Sequence, residues 1–522
     1  MSDDPRLRLL GASSLTDFAR QILHLLDSTN VTITVGDDVP AAADSVIVAV
    51  YALAARLFGH VNVQPPRPLT PNWWGVDHTV DLAEALAGVR VQPTTPATTS
   101  LNVLLGTAQP EEPTAPTFCI GGGDYTVRLG REAQPLEQEI THGFGLHAAA
   151  CLVVTQLLTC ILTPTGAFAG VELIEPHVSN LLDYALTAAP QSLTAPNPPG
   201  GKPVDLVFAG IGSVGTSALA LLAQALAPGL ASGAPGSAPV NITLIDRDAF
   251  DPTRNPYRYP ALLGGEDANK AVQFAQRLTA LGLPTQAHPD DVATWVQAQP
   301  QPGLDGLLVS SVDTLTGRLD VTDVLARTTL SLGVAGLALH AQREHLGDGF
   351  ACPYCDYVNA DPPMSQADVN SELTGLMIPR ILTLSQPGET LTAEDINMAV
   401  AAGKLHPDRR HALIGATLTD LIRQAYAEID LRGPANSGAP EQFVLAAPHV
   451  SWFAGVLAAA EIIKELHGLP TVDRRVDVDL RGVPQGVVGR RPADQTGRCV
   501  CHGRRADWYR RLYPGSEGTT GG

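Results

Sequence analysis

The chain has 522 residues and a net charge of −19, with 44% hydrophobic and 17% charged residues. This length predicts roughly two to four domains with sizeable cores, and the composition excludes an intrinsically disordered chain. The acidic surplus argues against nucleic acid as a partner, because such a surface repels a polyanion.

The N-terminus, "MSDDPRLRLL", has no basic segment followed by an apolar core, so we expect no secretory signal and a cytoplasmic location. The most apolar run, residues 145–162, contains His, Thr and Gln and fits a buried core helix better than a membrane span. We therefore expect no membrane partner. In a reducing compartment, we expect no disulfides, and those of the seven cysteines that cluster in the sequence are expected to be metal ligands or nucleophiles.

The first half contains two strand-like runs, residues 31–36 and 44–58, and no glycine-rich phosphate loop. Its residues 145–154 match residues 455–464 in small and apolar positions, which predicts two similar helices and favours two related halves. A Pro- and Gly-rich stretch at 194–205 predicts a linker. We therefore expect one domain at residues 1–197 and a second at residues 198–522.

A nucleotide-binding loop is predicted at the start of the second domain. The sequence "VDLVFAGIGSVGTSALALL" reads as a strand, a turn with Gly210, Gly212 and Gly215, and a helix. Glycines let the backbone approach phosphates, and a helix N-terminus offers free N–H groups to an anion. The next strand ends at Asp246, where a carboxylate can accept hydrogen bonds from ribose hydroxyls.

The residues after Asp246 distinguish ATP from NAD. Asn255, Arg258 and Lys270 can bind phosphate oxygens and neutralise a leaving pyrophosphate, whereas a dehydrogenase needs no such cluster. Asp313 ends a later strand, five residues before Arg318, at the sheet edge where Mg²⁺ bound to a triphosphate would lie. On its own, Asp313 fits a helix cap equally well.

Two cysteine pairs flank a region of different character. Residues 360–445 show helical segments between Pro- and Gly-rich loops, which predicts an inserted subdomain or long crossover. The pairs supply four thiolates, enough for a tetrahedral Zn²⁺ site: Cys352, Cys355, Cys499 and Cys501. His502 could replace one thiolate. A redox pair is the weaker interpretation, because no thioredoxin-like strand and helix frame the motif.

In order and content, these motifs resemble the ThiF/MoeB and ubiquitin-activating enzyme superfamily over about residues 204–502. The resemblance rests on seven features: the glycine loop, Asp246 with Asp248, Asn255 with Arg258, Gly265 with Lys270, Asp313 with Arg318, the two cysteine pairs, and the helix at 448–464. The family's Asn-Leu-x-Arg-Gln here reads Asn255-Pro-Tyr-Arg258-Tyr259, and the spacing from Asp246 is one residue longer.

The resemblance implies an α/β protein: a doubly wound Rossmann-like adenylation domain with a structural zinc site, preceded by a degenerate, inactive adenylation-like domain. Its activity would be Mg²⁺-dependent adenylation by ATP of the C-terminal carboxylate of a ubiquitin-like protein ending in Gly. Asp246 would hold the ribose, Asn255, Arg258 and Lys270 the phosphates, and Asp313 the Mg²⁺. The first half resembles the degenerate half found in bacterial ubiquitin-like conjugation operons, where a partner half can supply an arginine. Arg6 and Arg8 are candidates here.

The acceptor of the activated carboxylate stays open. Residues 356–498 contain no cysteine, so a thioester within the crossover is excluded. The adenylate could pass directly to an acceptor, to a thiol of a partner such as a conjugating enzyme, or to a crossover hydroxyl as an oxyester. The candidate hydroxyls are Ser365, Ser371 and Thr374. Cys119 is a weak candidate, and Cys151 and Cys160 are expected to be buried structural thiols.

Two other classes of function compete with adenylation. One is a Rossmann-type NAD-dependent oxidoreductase, which would leave Asn255, Arg258 and Lys270 without a purpose. The other is a non-catalytic scaffold, against which the intact polar set argues. The resemblance implies a pair of adenylation-like halves, both of which this chain can supply, and we also expect a homodimer of such chains.

Overall fold

The computed structural model describes residues 17–514 apart from several gaps. The gaps are 111, 166–175, 190–202, 228–239, 253–254, 263–266, 356–357, 359–365, 387, 406, 408–409, 423, 426–446 and 481–486. Of the predicted site residues, Gly265, Ser365, Arg6 and Arg8 lie outside the described residues.

The first half is built on a six-stranded sheet with strand order β2-β1-β3-β4-β5-β6. The strands are β1 Thr29–Val35, β2 His60–Gln64, β3 Thr99–Leu105, β4 Thr117–Gly122, β5 Thr126–Gly130 and β6 His177–Asn180. The helices are α1 Asp17–Asp27, α2 Asp44–Ala54, α3 Leu82–Ala85 and α4 Phe144–Leu162.

The second half is built on an eight-stranded sheet with strand order β14-β13-β12-β11-β10-β7-β8-β9. The strands are β7 Val204–Ala209, β8 Val240–Ile245, β9 Thr285–His288, β10 Leu304–Ser310, β11 Ala326–Ala335, β12 Ala338–Glu344, β13 Arg475–Asp479 and β14 Val487–Gly489. The helices are α5 Ser213–Leu226, α6 Asn255–Arg258, α7 Lys270–Ala280, α8 Val292–Gln297, α9 Leu315–Asp323, α10 Gln366–Thr374, α11 Ile378–Leu384, α12 Ala393–Ala401, α13 Arg410–Leu413, α14 Pro448–Leu466 and α15 Arg504–Leu512.

The six strands of the first sheet match six strands of the second, which has β9 and β14 in addition at its two ends. In the first, β2, β1, β3 and β4 are parallel, and β5 and β6 add antiparallel strands. In the second, β8, β7, β10 and β11 are parallel, and β12 and β13 add antiparallel strands. The helices α4 and α14 each lie between the two antiparallel strands in the chain. The matching sequences at 145–154 and 455–464 therefore occupy equivalent positions.

The two halves share a hydrophobic core. One continuous cluster of buried side chains includes residues of both sheets and of α4 and α14, which pack against each other. Gly455 allows α14 to approach α5 closely, because a Cβ there would lie 2.5 Å from the Cβ of Ser217. The helices α10 to α13 have a core of their own, centred on Leu376, Ile381 and Ile396. The prediction of a mixed α/β protein is confirmed, with two sheets rich in parallel strands.

One predicted element is wrong. The run at 44–58 forms helix α2 over Asp44–Ala54, and every residue of that helix is buried. A helix buried all round carries β-branched residues on every face, so it lacks the polar stripe that would reveal its period. By contrast, the apolar run at 145–162 lies in helix α4, which is almost wholly buried inside the protein, as predicted.

Candidate functional site

The three predicted loop glycines have three different surroundings. Gly210 follows β7 with φ +89°, a conformation that favours glycine, and Gly215 packs so closely that a Cβ would lie 2.4 Å from the Gly210 carbonyl oxygen. A Cβ on Gly212, in contrast, would meet no described atom within 4 Å. Gly210 and Gly215 therefore shape the turn. Gly212 leaves open space beside the start of α5, where backbone N–H groups can bind an anion.

Asp246 is tied to this loop. Its carboxylate accepts hydrogen bonds from the backbone N–H of Ile211 (2.6 Å) and of Asp248 (2.8 Å), so the side chain lies between β8 and the glycine turn. Burial raises the pKa of Asp246 above its usual value, and the nearby Lys270 opposes that rise. Each oxygen keeps a lone pair for a further donor such as a ribose hydroxyl.

Lys270 is a buried cation at the first residue of α7. Its Nζ lies 3.1 Å from the Asp248 carboxylate and 5.9 Å from the centre of the Tyr259 ring. Burial lowers the pKa of Lys270, but Tyr259, Asp246 and Asp248 outweigh that effect, so its pKa is raised above the usual value. The side chain therefore carries a positive charge across the physiological pH range.

Residues 255–262 lie against the glycine loop. The hydroxyl of Ser213 donates to the carbonyl oxygen of Arg258 (2.8 Å), while the Arg258 side chain is exposed. The Asn255 side-chain oxygen accepts from the backbone N–H of Asp251 (2.9 Å), which orients the amide and leaves its NH₂ group available as a donor.

Asp313 lies beside the same turn. Two residues earlier, Ser311 donates through its backbone N–H to Ala209 and through its hydroxyl to the Gly210 carbonyl (2.8 Å). Asp313 is exposed and precedes Thr314, whose hydroxyl caps α9 by accepting from the Gly317 N–H, so Asp313 itself is not the cap. The ends of β7, β8 and β10 thus bring the glycines, Asp246, Asp248, Lys270 and Asp313 to one edge of the sheet.

Sequence reasoning missed two polar residues of this region. Ser311 ties the β10 edge to the glycine turn, and Asn269 donates to the backbone oxygen of Asp246 (2.8 Å) while it caps α7 through Val272. An Asn immediately before a helix is a recognised capping signal, so Asn269 was available from the sequence. Ser311 was not, because its partner lies 101 positions away.

The four cysteines form a compact, buried cluster. The Sγ atoms of Cys352 and Cys355 each approach that of Cys499, at 3.4 and 3.5 Å, and Cys355 and Cys501 are 3.6 Å apart. A tetrahedral site with Zn–S bonds of about 2.3 Å has S–S edges of about 3.8 Å, so the four thiols could hold a metal ion of this kind. His502 is exposed and is not part of the cluster.

The cluster is supported by its own loop. The Asp494 carboxylate accepts from the backbone N–H groups of Cys499 (3.0 Å) and Arg498 (2.8 Å), and Ala351 donates its N–H to the carbonyl of Arg491. The backbone bond from Ala351 to Arg491 therefore joins the two segments that carry the cysteine pairs, while Asp494 fixes the loop that leads into Cys499.

The predicted hydroxyls have local partners. Ser371 donates to the carbonyl of Leu376 (2.6 Å), and the fully buried Thr374 donates to that of Asn370 (2.7 Å). Both bonds stabilise the C-terminal end of α10, where such residues replace missing backbone partners.

The remaining cysteines are buried or half-buried in the first half. Burial raises the pKa of Cys119 to about 11, which disfavours the reactive thiolate. Cys119 lines a cavity of about 390 Å³ with Leu104, Thr117 and Arg131, and none of the predicted nucleotide-site residues lines it. Cys151 and Cys160 lie on α4, where burial also raises the pKa of each thiol.

Comparison with known proteins adds three solved structures of low similarity. No protein-family model and no curated protein sequence matches the chain. E. coli MccB with ATP is 14% identical, with a TM-score of 0.31, covering 57% of this chain and 66% of that one. The microcin C7 biosynthetic enzyme MccB in complex with N-formylated MccA is 15% identical, with a TM-score of 0.31 and coverages of 57% and 67%. E. coli MccB with MccA-N7isoASN is 13% identical, with a TM-score of 0.30 and the same coverages.

Proposed function

We propose that this chain is an ATP-dependent adenylyltransferase of the ThiF/MoeB and ubiquitin-activating type, acting on the C-terminal carboxylate of a ubiquitin-like protein. One observation carries the proposal. The sheet edge where β7 and β8 end brings together three features: the charged, buried Lys270, the open space at Gly212 and the carboxylate of Asp246. This arrangement offers groups for a ribose and for a chain of phosphates at a single site.

The residues divide the work of binding and activating ATP. Asp246 accepts the ribose hydroxyls, while the N–H groups at the start of α5 and the amide of Asn255 donate to phosphate oxygens. Lys270 and the exposed Arg258 supply positive charge as the substrate carboxylate attacks the α-phosphate and pyrophosphate leaves. Asp313 would hold a Mg²⁺ ion, which supplies further charge neutralisation when it is bound to the triphosphate.

The alternative oxidoreductase would share part of this site. Asp246 and the glycine loop suit the ribose and pyrophosphate of NAD equally well. The buried Lys270 favours ATP, because a cation held among Asp246, Asp248 and Tyr259 is suited to the larger charge of a triphosphate. Tight binding of NADH without binding of ATP would select the alternative.

We propose that the acyl-adenylate passes directly to an acceptor brought by a partner, such as the thiol of a conjugating enzyme. The hydroxyls of Ser371 and Thr374 are engaged in bonds that end α10, and Cys119 is a buried thiol with a raised pKa. A hydroxyl also needs an activating base. Intact-mass measurement after reaction tests this: no covalent adduct is expected, and an adduct lost in Ser371→Ala would contradict direct transfer.

We further propose that the four-cysteine cluster binds Zn²⁺ as a structural ion, and that residues 1–197 form an inactive domain while residues 198–522 form the active one. The crossover at 360–445 then corresponds to the region of α10 to α13. A homodimer would place two such chains together. The shared topology of the two sheets supports the division into two adenylation-like halves.

The function is tested by the exchange of labelled pyrophosphate into ATP. The reaction contains Mg²⁺ and a small protein that ends in Gly and is encoded by a neighbouring gene. Exchange should depend on the small protein and fall at least about 100-fold in Asp313→Ala, because the metal and its charge compensation are lost. Asp305→Ala is the matched control, since Asp305 is an exposed carboxylate on β10 that pairs with Arg327. Exchange unaffected by Asp313→Ala would contradict the assigned role.

A further inference from the structure

Arg56, immediately beyond helix α2 of the first half, is fully buried and reaches into the second half. Its Nε donates to the carbonyl of Pro256 (3.1 Å), and its Nη2 donates to the carbonyls of Tyr259 (3.3 Å) and Leu262 (2.5 Å). Its Nη1 donates to the carbonyl of Ala52 (2.7 Å), in the last turn of α2. Every described partner of this guanidinium is a backbone carbonyl.

Two tryptophans of the first half hold the same stretch. The indole N–H of Trp73 donates to the carbonyl of Ala261 (2.7 Å), and that of Trp74 donates to the carbonyl of Pro260 (3.2 Å). Arg277 of α7 lies over the Trp73 ring, 4.1 Å from its centre. Residues of the first half therefore bind five carbonyls between positions 256 and 262.

The held stretch, residues 255–262, is the phosphate segment of the proposed site. It begins with Asn255 and includes Arg258, and on its other side Ser213 donates to the Arg258 carbonyl. The segment is thus fixed between the glycine loop of its own half and the side chains of the other half.

Arg56 has no carboxylate partner among the described residues, and burying an arginine in this way is costly, so its presence needs a reason. Burial lowers the pKa of Arg56 to about 9, which leaves it charged at neutral pH. The planar guanidinium can donate in several fixed directions at once, and an ammonium cannot reproduce this geometry. The buried charge of Arg56 thus serves to fix the positions of the backbone carbonyls to which it donates.

We infer that Arg56 is a positioning residue of the nucleotide site, and that the first half is for this reason a working component of that site. The inference rests on the proposed function. Arg56 acts through the phosphate segment: it fixes the backbone from which Asn255 and Arg258 reach the phosphates. Its loss therefore raises the cost of ordering the segment when ATP binds.

The test compares Arg56→Met and Arg56→Lys with the control Arg67→Met. Arg67 is a half-buried arginine of the same half that pairs with Asp44 (3.3 Å) and makes its described contacts within the first half. Trp73→Phe is a second variant, because it removes the indole N–H bond to Ala261 and keeps an aromatic ring beneath Arg277. The readouts are KM for ATP and kcat in pyrophosphate exchange, and hydrogen–deuterium exchange of residues 255–262.

In Arg56→Met we expect KM for ATP to rise about tenfold, kcat to change less than about threefold, and the phosphate segment to exchange faster. Arg56→Lys should fall between Met and the unsubstituted protein, Trp73→Phe should raise KM about threefold, and Arg67→Met should change neither readout. If Arg56→Met does not fold, Trp73→Phe decides by the same criteria.

The inference would be overturned if folded Arg56→Met kept both the KM for ATP and the hydrogen–deuterium exchange of residues 255–262 unchanged. Where Trp73→Phe decides, the same result in that variant would overturn it. Equal losses in Arg67→Met would also overturn it, because they would reflect general destabilisation of the first half. If the unsubstituted protein neither binds ATP nor exchanges pyrophosphate, the proposed function is contradicted instead. Faster hydrogen–deuterium exchange of residues 255–262 in Arg56→Met would in that case still show the positioning contact.

Discussion

Six strands follow the same order in both halves, but the chemistry of the two halves differs where that order reverses. After β7, the chain turns at Gly210 and leaves open space at Gly212. After β1, the equivalent turn contains Asp38, whose carboxylate accepts from the N–H of Thr107 (2.9 Å) and lies where a side chain on Gly36 would point. The equivalent crevice of the first half is therefore filled by a carboxylate.

This difference shows why topology alone does not make a nucleotide site. The hydrogen bond from Thr107 lowers the pKa of Asp38, so the carboxylate is ionised at neutral pH and repels phosphate. In the second half, the same position offers backbone N–H groups and the positive charge of Lys270. The first half instead contributes Arg56 to its neighbour, which fits a role in support rather than in catalysis.

The largest expected effect concerns the cysteine cluster, which has no counterpart among the described residues of the first half. Cys355→Ala should abolish bound zinc, expected at about one ion per chain, and lower the free energy of unfolding by at least about 3 kcal/mol. Metal content by elemental mass spectrometry and chemical denaturation measure this. The control Cys160→Ser, in a half-buried lone thiol, should change stability by about 1 kcal/mol or less. Full stability without zinc would contradict the prediction.

The next effect isolates the open space in the glycine loop. In Gly212→Ala, the new methyl group meets no described atom, and φ of −79° suits any residue, so the protein should fold with stability changed by less than about 0.5 kcal/mol. Affinity for ATP should still fall about tenfold or more, because the methyl group occupies space that the phosphates need.

Gly489→Ala serves as the control for Gly212→Ala, since a Cβ on Gly489 would likewise meet no described atom within 4 Å, but Gly489 lies on β14. Isothermal titration with ATP and Mg²⁺ provides the affinities. Equal affinity in Gly212→Ala and the unsubstituted protein would show that the nucleotide does not use this loop.

A smaller effect tests a feature that the two halves share. Each central helix buries a histidine, His147 on α4 and His449 on α14, and burial lowers the pKa of each to about 3. In the unfolded chain, histidine is protonated below about pH 6.5. The free energy of unfolding is therefore not reduced by these histidines above that pH, and it decreases as the pH falls from there towards 3. Between pH 7.5 and pH 5, each histidine should cost about 2 kcal/mol.

His449→Leu should therefore reduce the loss of stability between pH 7.5 and pH 5 by about 2 kcal/mol, as measured by urea denaturation at both pH values. If His449→Leu kept the full pH dependence, the buried neutral state of His449 would be wrong.

The local elements around the proposed site follow from the sequence. The strand, glycine turn and helix at Gly210, and the strand that ends at Asp246, are short motifs whose geometry is fixed within a few residues. The cysteine pairs were predicted to meet although they lie 147 positions apart, because the thiol chemistry limits the choices. The helix at 44–54 was predicted as a strand, since burial on all sides removed the signal of its period.

Contacts between the halves were beyond sequence reasoning. Arg56 meets Pro256 across 200 positions, and no periodic pattern links the two. The only signal was a single arginine within the apolar run "ALAARLF", which is unusual because a buried charge needs partners. The hydroxyl candidates Ser371 and Thr374 show the opposite case, where suitable residue types turned out to bond their own helix end.

The most direct test of the account is the number of ATP molecules bound per chain, measured by isothermal titration with Mg²⁺. The account predicts one molecule per chain, bound at least about 30-fold more weakly in Lys270→Ala, because the second half offers a phosphate site while Asp38 fills the equivalent crevice among the described residues of the first. Two molecules per chain, no ATP binding, or binding of NADH in place of ATP would contradict it.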